Sequence, residues 1–162
     1  MIVAGTGHRP EKLGGYAEAV STRLFDLARA VLVREAPSKV ISGMALGWDT
    51  ALALAALDLG IPLVAAVPFA GQERKWPAPS QEIYRAIIAR AEVVIVCEGG
   101  YAPWKLQKRN EWMVDRADRM LALWDGNIGG GTANCIVYAE RKGVPFTNMW
   151  RRYRGDDFES LL

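Results

Sequence analysis

Short apolar runs alternate with longer stretches of helical periodicity along this chain. The runs that are short enough to be single strands cover residues 2–4, 39–42, 61–67, 93–97 and 120–124. Between the first two runs, apolar residues recur at positions 20, 24, 27, 28, 31 and 32, which form one face of a helix. The alternation predicts an α/β fold, an open parallel sheet of five to six strands with helices on both faces. Because the runs are continuously apolar, we expect strands that are buried on both sides.

The segments between and after these elements carry further expectations. Residues 69–79 contain two prolines and three consecutive charged side chains, which predicts a loop long enough to be a lid or a specificity element. Ser80 is placed to cap the next helix. Residues 150–162 include a cluster of arginines and are interpreted as a solvated C-terminal tail. At 162 residues, the chain is expected to form one domain over residues 1–162.

Glycine and polar residues are concentrated in four loops that follow the predicted strands. These loops comprise residues 5–10, 42–49, 98–103 and 125–132. In an open parallel sheet the ligand lies beyond the carboxyl ends of the strands, so the four loops are expected to surround one binding site. The residues expected to bind the ligand are Gly7, His8, Arg9, Ser42, Gly43, Asp49, Glu98, Gly99, Arg109, Asp125, Gly129, Gly130, Gly131 and Thr132.

Residues 121–140 predict the anion-binding part of this site. An apolar strand is followed by a turn with Asp125 and three consecutive glycines, and a helix is expected to begin at Thr132. Backbone N–H groups of such a turn can approach an anion closely, and the positive end of the helix dipole favours a phosphate there. The sequence therefore predicts a nucleotide-binding site. A standard NAD(P) dehydrogenase is disfavoured, because residues 5–10 lack the G-x-G-x-x-G pattern and the second strand ends without an acidic residue.

Three side chains in these loops are candidates for catalysis, and each has a second interpretation. His8 could act as acid, base or donor, or could hydrogen-bond the backbone and order its loop. Asp49 could bind a ribose or base, or could stabilise its helix through the dipole. Glu98 could contact ribose hydroxyls or transfer protons, or could be a solvated carboxylate. Arg9 could pair with a phosphate in a fork geometry. Arg109 is predicted to lie on a helix, and composition alone favours a surface position for it.

Composition narrows the classes of partner. The net charge of +2 is too small to indicate a nucleic-acid partner by itself. There is no apolar run of about 18 residues and no basic region at the N-terminus, so neither a membrane span nor a signal peptide is predicted. Cys97 and Cys135 fall in predicted core elements without metal-motif spacing, and His8 is the only histidine. We therefore expect no metal site and a reduced, cytoplasmic protein.

Three motifs together resemble those of one family. GTGHRP at residues 5–10, SGMALGWD at residues 42–49 and NEWMVDRADRMLALWDGNIGGGT at residues 110–132 resemble the YpsA-like proteins of the SLOG superfamily. That superfamily also includes the LOG phosphoribohydrolases, which activate cytokinins, and the DNA-processing protein DprA. The resemblance covers residues 2–148 and implies a Rossmann-like fold with a site for a nucleotide or a nucleotide-derived ligand.

The resemblance to the LOG enzymes is incomplete at the catalytic position. Those enzymes carry an arginine-lysine pair and then PGGxGTxxE, in which the glutamate serves catalysis. Arg109 matches the arginine, which implies a role in the site, but Asn110 stands in place of the lysine. Gly130, Gly131 and Thr132 resemble the phosphate turn, and Cys135 occupies the position of the glutamate.

Three functions are therefore considered, in this order. The first is binding or sensing of a nucleotide or nucleotide-derived small molecule at the C-terminal edge of the sheet, with no other cofactor assigned. The second is hydrolysis of a ribosyl or phosphoribosyl N-glycosidic bond, with Glu98, His8 or Asp49 replacing the absent glutamate. The third is single-stranded nucleic-acid binding by analogy with DprA. It is not favoured, because the 20 basic residues are nearly balanced in number by 18 acidic ones. Related folds often pair through helices, which favours a homodimer.

Overall fold

A computed structural model describes residues 1–155 as a six-stranded sheet covered by helices on both faces. The strands are β1 (Ile2–Gly7), β2 (Lys39–Ser42), β3 (Leu63–Val67), β4 (Glu92–Ile95), β5 (Arg119–Leu123) and β6 (Phe146–Asn148). The helices are α1 (Glu18–Glu35), α2 (Trp48–Asp58), α3 (Ala78–Ile88), α4 (Pro103–Val114), α5 (Gly131–Arg141) and α6 (Trp150–Arg154), with a 3-10 turn at Pro10–Lys12. Within these residues no helix combines the length and the apolar character that crossing a membrane requires.

All neighbouring strands pair in parallel, in the order β4-β3-β2-β1-β5-β6. This arrangement confirms the predicted Rossmann-like α/β fold. The order runs outward in both directions from β1, so the direction of winding reverses between β1 and β5. Such a reversal leaves a crevice at the carboxyl ends of the two central strands.

Two hydrophobic clusters hold the helical layers to the sheet. Side chains of α1, α2, α3 and α6 pack with one face of the strands, and side chains of α4 and α5 pack with the other. Successive residues of one strand enter different clusters, as Val3 and Ala4 of β1 do, because successive side chains in a strand point to opposite faces.

Strand β1 extends through Gly7, three residues beyond the predicted end at Ala4. The glycines of this extension let α2 lie directly against the strand. A Cβ on Gly5 would be 2.6 Å from Leu52, and a Cβ on Gly7 would be 2.6 Å from the Cβ of Trp48. Both glycines were predicted to lie in a loop beside the ligand, and Gly7 was predicted to bind it. In the structure, both allow α2 to pack against β1.

The expectation that every strand is buried on both sides is wrong for β4. Val93 and Ile95 are 42% and 52% exposed. Among residues 1–155, strand β4 pairs only with β3 and forms one edge of the sheet, so the helical layers cover it incompletely.

The prediction that Ser80 caps a helix is wrong, and part of the predicted tail is helical. Ser80 lies inside α3, which begins at Ala78 after Pro77 and has no side-chain cap. Residues 150–154, predicted as part of a solvated tail, form α6, in which Tyr153 is buried. The remainder of the predicted tail, from residue 156 onward, lies outside the described residues.

Candidate functional site

A cleft of about 380 Å³ opens at the carboxyl ends of β1 and β5, where the winding of the sheet reverses. Its walls come from the end of β1 and the following turn, the first turn of α2, one face of α4 and the turn that begins α5. The lining residues are Gly5, Thr6, Gly7, His8, Arg9, Glu11, Lys12, Ala45, Asp49, Leu106, Arg109, Asn110, Gly129, Gly130, Gly131 and Thr132. Most of the residues predicted to bind a ligand are therefore brought together in this cleft.

The glycine turn before α5 forms an exposed rim of the cleft. Gly129 and Gly130 have φ angles of 96° and 87°, in the left-handed region where a side chain is strained. Helix α5 then begins at Gly131, one residue before the predicted start, and Gly130 gives it no side-chain cap. The first N–H groups of an α-helix have no partner within the helix, so this turn leaves donors available at the rim. The side chain of Asn110 donates to the carbonyl of Gly131 at 3.3 Å and ties the turn to α4.

Asp49 is a buried carboxyl group in the cleft wall. Its Oδ2 accepts the backbone N–H of Ala45 at 3.3 Å, and its Oδ1 has no hydrogen-bond partner within residues 1–155. Burial raises the pKa of Asp49 to about 6, and the neighbouring charge of Arg109 limits that rise. Asp49 lines the cleft, and a buried acceptor that is left unsatisfied calls for an explanation such as a bound water or ion.

Arg109 is buried beside Asp49, which corrects its assignment to the surface from composition. Its Nη1 donates to the carbonyl of Gly43, and its Nε donates to Oδ1 of Asn110 at 3.1 Å. A Cβ on Gly43 would lie 2.8 Å from both the guanidinium carbon of Arg109 and Oδ2 of Asp49. Burial lowers the pKa of Arg109, and the carboxyl of Asp49 opposes that effect. Only glycine at position 43 leaves room for both charged side chains.

Ser42 and Gly43, predicted as ligand-binding residues, do not line the cleft. The hydroxyl of Ser42 donates to the carbonyl of Asp49 at 2.8 Å and accepts the N–H of Met44 at 3.1 Å. Ser42 thus joins the end of β2 to the first turn of α2. Both residues support Asp49 and Arg109 from behind the cleft.

His8 orders the loop, as the second interpretation of this residue proposed. The backbone N–H of Asp125 donates to His8 Nε2 at 3.0 Å. Burial lowers the pKa of His8, against the effect of the Asp125 carboxylate 3.1 Å away. These contacts join the end of β1 to the loop after β5.

Asp125 stabilises its own turn and does not line the cleft. Its carboxylate accepts the backbone N–H and the side-chain amide of Asn127, at 2.9 and 3.0 Å. The backbone hydrogen bond from Asn127 is the main reason that the pKa of Asp125 is lowered, and His8 adds to the effect.

Glu98 and Gly99 are exposed and lie outside the cleft. They follow β4, which is separated from β1 by β3 and β2, so their distance from the cleft follows from the strand order. The carbonyl of Glu98 accepts a hydrogen bond from Lys105. Glu98 is therefore not placed to act on a ligand in the cleft.

Cys135, at the position of the LOG glutamate, is buried in the hydrophobic cluster beneath α5. Burial raises the pKa of its thiol to about 11, although Thr6 and Arg109 favour the thiolate. Cys135 is therefore a neutral thiol without access to the cleft. Within residues 1–155 no group of histidine, cysteine, aspartate or glutamate side chains could hold a metal ion.

Sequence reasoning missed several lining residues, among them Thr6, Leu106 and Asn110. A signal for two of them was present. Leu106 stands three residues before Arg109 and four residues before Asn110. Residues three or four apart share a helix face. Thr6 gave no comparable signal, because the extension of β1 was not predicted.

Comparisons with known proteins agree with the motifs. Residues 3–144 match the sequence model of the YspA SLOG family, YpsA, which confirms the resemblance. The uncharacterised SPbeta prophage-derived protein YoqJ of Bacillus subtilis (strain 168) is 29% identical over 154 residues, which cover 85% of this chain and 89% of YoqJ.

Solved structures of DNA processing protein A (DprA) are similar in fold. DprA of Streptococcus pneumoniae superimposes with a TM-score of 0.66 and 19% identity, over 90% of this chain and 49% of that chain. DprA of Helicobacter pylori, described for its single-stranded DNA binding mode, gives 0.67 and 18%, over 91% and 64%. This chain thus spans half to two thirds of the DprA chains, and at these identities the likeness establishes the fold alone.

Proposed function

The chain belongs to the YspA SLOG family, and on that basis we propose that it binds a nucleotide or nucleotide-derived small molecule in the cleft between β1 and β5. The ligand's phosphate lies at the N-terminus of α5, and its ribose approaches Asp49. We place this function in the cytoplasm, because both Cys97 and Cys135 carry free thiols.

The observation that carries the proposal is the uncapped start of α5 at the rim of the cleft. Its unused N–H groups and the helix dipole favour an anion. Arg9, Lys12 and Arg109 line the same cleft and bring positive charge to it. Thr132 adds a hydroxyl on the first turn. A phosphate group is the kind of anion that such donors bind.

Asp49 supports a ribose in the same cleft. Its Oδ1 lacks a partner within the described residues and is buried, so it gains from a hydroxyl donor that the free protein does not supply. A sugar phosphate offers hydroxyl groups and an anion in one molecule, which matches an acceptor and a set of donors in one cleft.

Isothermal titration calorimetry against nucleoside monophosphates, ADP-ribose and NAD tests the proposal. Gly131→Asp places a negative charge at the start of α5, where a Cβ meets nothing within 4 Å, and is expected to weaken binding at least roughly tenfold. Thr132→Val removes one hydroxyl and should cost about 1 kcal/mol of binding free energy.

Asn134→Asp is the matched control for the added charge, because Asn134 is exposed on the same helix and does not line the cleft. It should bind as the wild type does. Equal weakening by Gly131→Asp and Asn134→Asp, or no binding of any ligand in the panel, would contradict the proposal.

A hydrolase is the second candidate, because the buried carboxyl of Asp49 has a pKa of about 6 and lines the cleft. A carboxyl with a raised pKa can donate a proton to a leaving base near neutral pH. Chromatography of nucleoside monophosphates incubated with the protein tests this candidate. Released base that disappears in Asp49→Asn would support it, and release that survives the substitution would exclude Asp49 as the acid.

Single-stranded DNA binding is the third candidate. It rests on the fold shared with H. pylori DprA, of which this chain spans 64%. A gel-shift assay at low salt, where phosphate contacts are strongest, tests it directly. The absence of a shift removes this candidate.

A further inference from the structure

A second concavity of about 670 Å³ adjoins the cleft, and we refer to it as the aromatic groove. Arg9, Glu11 and Leu106 line both the cleft and the aromatic groove, so the two are continuous. The aromatic side chains that line the groove are Tyr16, Phe69, Trp76 and Tyr101. Its cations, besides Arg9, are Arg74 and Lys75.

The floor of the aromatic groove is the loop after β3, which the sequence indicated as a lid or specificity element. This loop is fastened to the support of the cleft. The side-chain amide of Gln72 lies 3.4 Å from the carbonyls of Gly43 and Met44, and Gly43 also accepts the hydrogen bond of Arg109. The ring of Trp76 packs edge-on against Tyr84 of α3, with ring centres 5.4 Å apart. The loop is therefore built into the fold and sets the groove in a fixed position beside the cleft.

Tyr101 lines the aromatic groove with an exposed ring. Its side chain is 70% exposed, whereas Phe69 is buried. The two rings meet edge to face, with centres 5.9 Å apart and an interplanar angle of 78°. An edge-on contact holds the ring while leaving a face of it open. Tyr101 belongs to the loop after β4, so this loop contributes an aromatic ring where the sequence suggested Glu98.

We propose that the aromatic groove receives the base of the nucleotide and that Tyr101 is the residue on which the base stacks. This inference rests on the proposed function, because the phosphate is taken to lie in the cleft. A nucleotide joins a flat aromatic base to an anion through a sugar. The junction at Arg9 and Leu106 joins an aromatic surface to an anion-binding cleft in the same way. Stacking on Tyr101 tolerates any base, because every base has an aromatic face.

The experiment compares a ligand with and without its base. The probes are the tightest-binding nucleoside monophosphate of the panel and ribose 5-phosphate, both measured by calorimetry, with displacement titration for the weaker probe. Tyr101→Ser is expected to weaken binding of the nucleotide roughly tenfold and to leave ribose 5-phosphate unchanged. Tyr101→Phe keeps the ring and should restore nucleotide binding to the wild-type level.

Trp104→Ser is the matched control, since Trp104 is a 59% exposed aromatic side chain that lines neither concavity. It should not change binding of either probe. The inference is overturned if Tyr101→Ser leaves nucleotide binding intact or weakens both probes equally. If ribose 5-phosphate binds the wild-type protein as tightly as the nucleotide does, this inference alone is overturned. If the wild-type protein binds neither probe, the proposed function is overturned as well.

Discussion

Asp49 and Arg109 form a buried pair of opposite charges that both lie against Gly43. Their side chains do not form a direct ion pair: Arg109 donates to a backbone carbonyl and to Asn110, while Asp49 accepts from Ala45 and has no partner for Oδ1 in the described part of the chain. Burial therefore dominates the charge attraction at Asp49, which is why its pKa rises instead of falling.

The raised pKa of Asp49 predicts a specific dependence of stability on pH. Because the folded protein favours the protonated carboxyl, the stabilisation is present at low pH and is lost as pH rises from the unfolded pKa of 3.8 through about 6. Asp49→Asn removes this titration. Its free energy of unfolding, relative to wild type, should rise by on the order of 3 kcal/mol between about pH 4 and about pH 7.

Urea denaturation at several pH values measures this difference. Asp58→Asn is the control, because Asp58 lies on the same helix but is exposed and paired with Arg29 at 2.9 Å. Asp58→Asn reports the effect of removing an exposed carboxyl from the same helix. A pH-independent difference for Asp49→Asn would contradict the assignment.

At the scale of elements, α6 is a helix that the hydrophobic pattern did not predict. Its five residues carry three arginines, which on the printed sequence indicates a solvated tail. Tyr153 nevertheless packs in the main hydrophobic cluster, its hydroxyl donates to the carbonyl of Leu13, and the guanidinium of Arg23 lies 4.5 Å from its ring centre. Helix α6 thus holds the turn after β1, which leads into the cleft.

Tyr153→Phe should destabilise the protein by about 1–2 kcal/mol, because it leaves the carbonyl of Leu13 without that donor in a buried place. Tyr138→Phe on α5 is the matched control: its hydroxyl donates to Asp115 at 2.8 Å in an exposed position. The control should change the free energy of unfolding by less than about 0.5 kcal/mol. Chemical denaturation of both variants measures the two values, and equal effects would argue against a stabilising role for the buried hydrogen bond of Tyr153.

At the scale of the whole molecule, the predictable and unpredictable parts of the fold separate clearly. Alternating apolar runs were enough for the sheet and its helices, since each run reflects local burial. Strand order is set by contacts far apart in sequence, such as the pairing of Gly7 with Leu123. That order brings His8 to Asp125 and leaves Glu98 at the far edge, so sequence alone could not tell which polar loops meet.

The same limit applies to interactions between copies of the chain. A homodimer stays a prediction, and light scattering on the purified protein at several concentrations checks it. The glycine turn, in contrast, was predicted from its local pattern of strand, glycines and helix, and Arg109 was assigned to the site because its motif resembled that of a family; both line the cleft.

The unsatisfied oxygen of Asp49 also couples ligand binding to the proton balance of the solution. An anion bound in the cleft is a like charge near this carboxylate, and we expect it to raise the pKa above about 6 by more than a ribose hydroxyl that donates to Oδ1 lowers it. Near neutral pH the protein should therefore take a proton from the buffer as the nucleotide binds.

Calorimetry in two buffers reveals this transfer as a difference in heat. Binding should be more endothermic in Tris, whose deprotonation absorbs much heat, than in Pipes, whose deprotonation absorbs little. Asp49→Asn corrects for the ligand's own phosphate ionisation and should shift the buffer dependence towards proton release. If the variant and the wild type show the same buffer dependence, Asp49 keeps its charge on binding. If they differ as expected, this carboxyl makes the affinity for the nucleotide depend on the acidity of the surrounding solution.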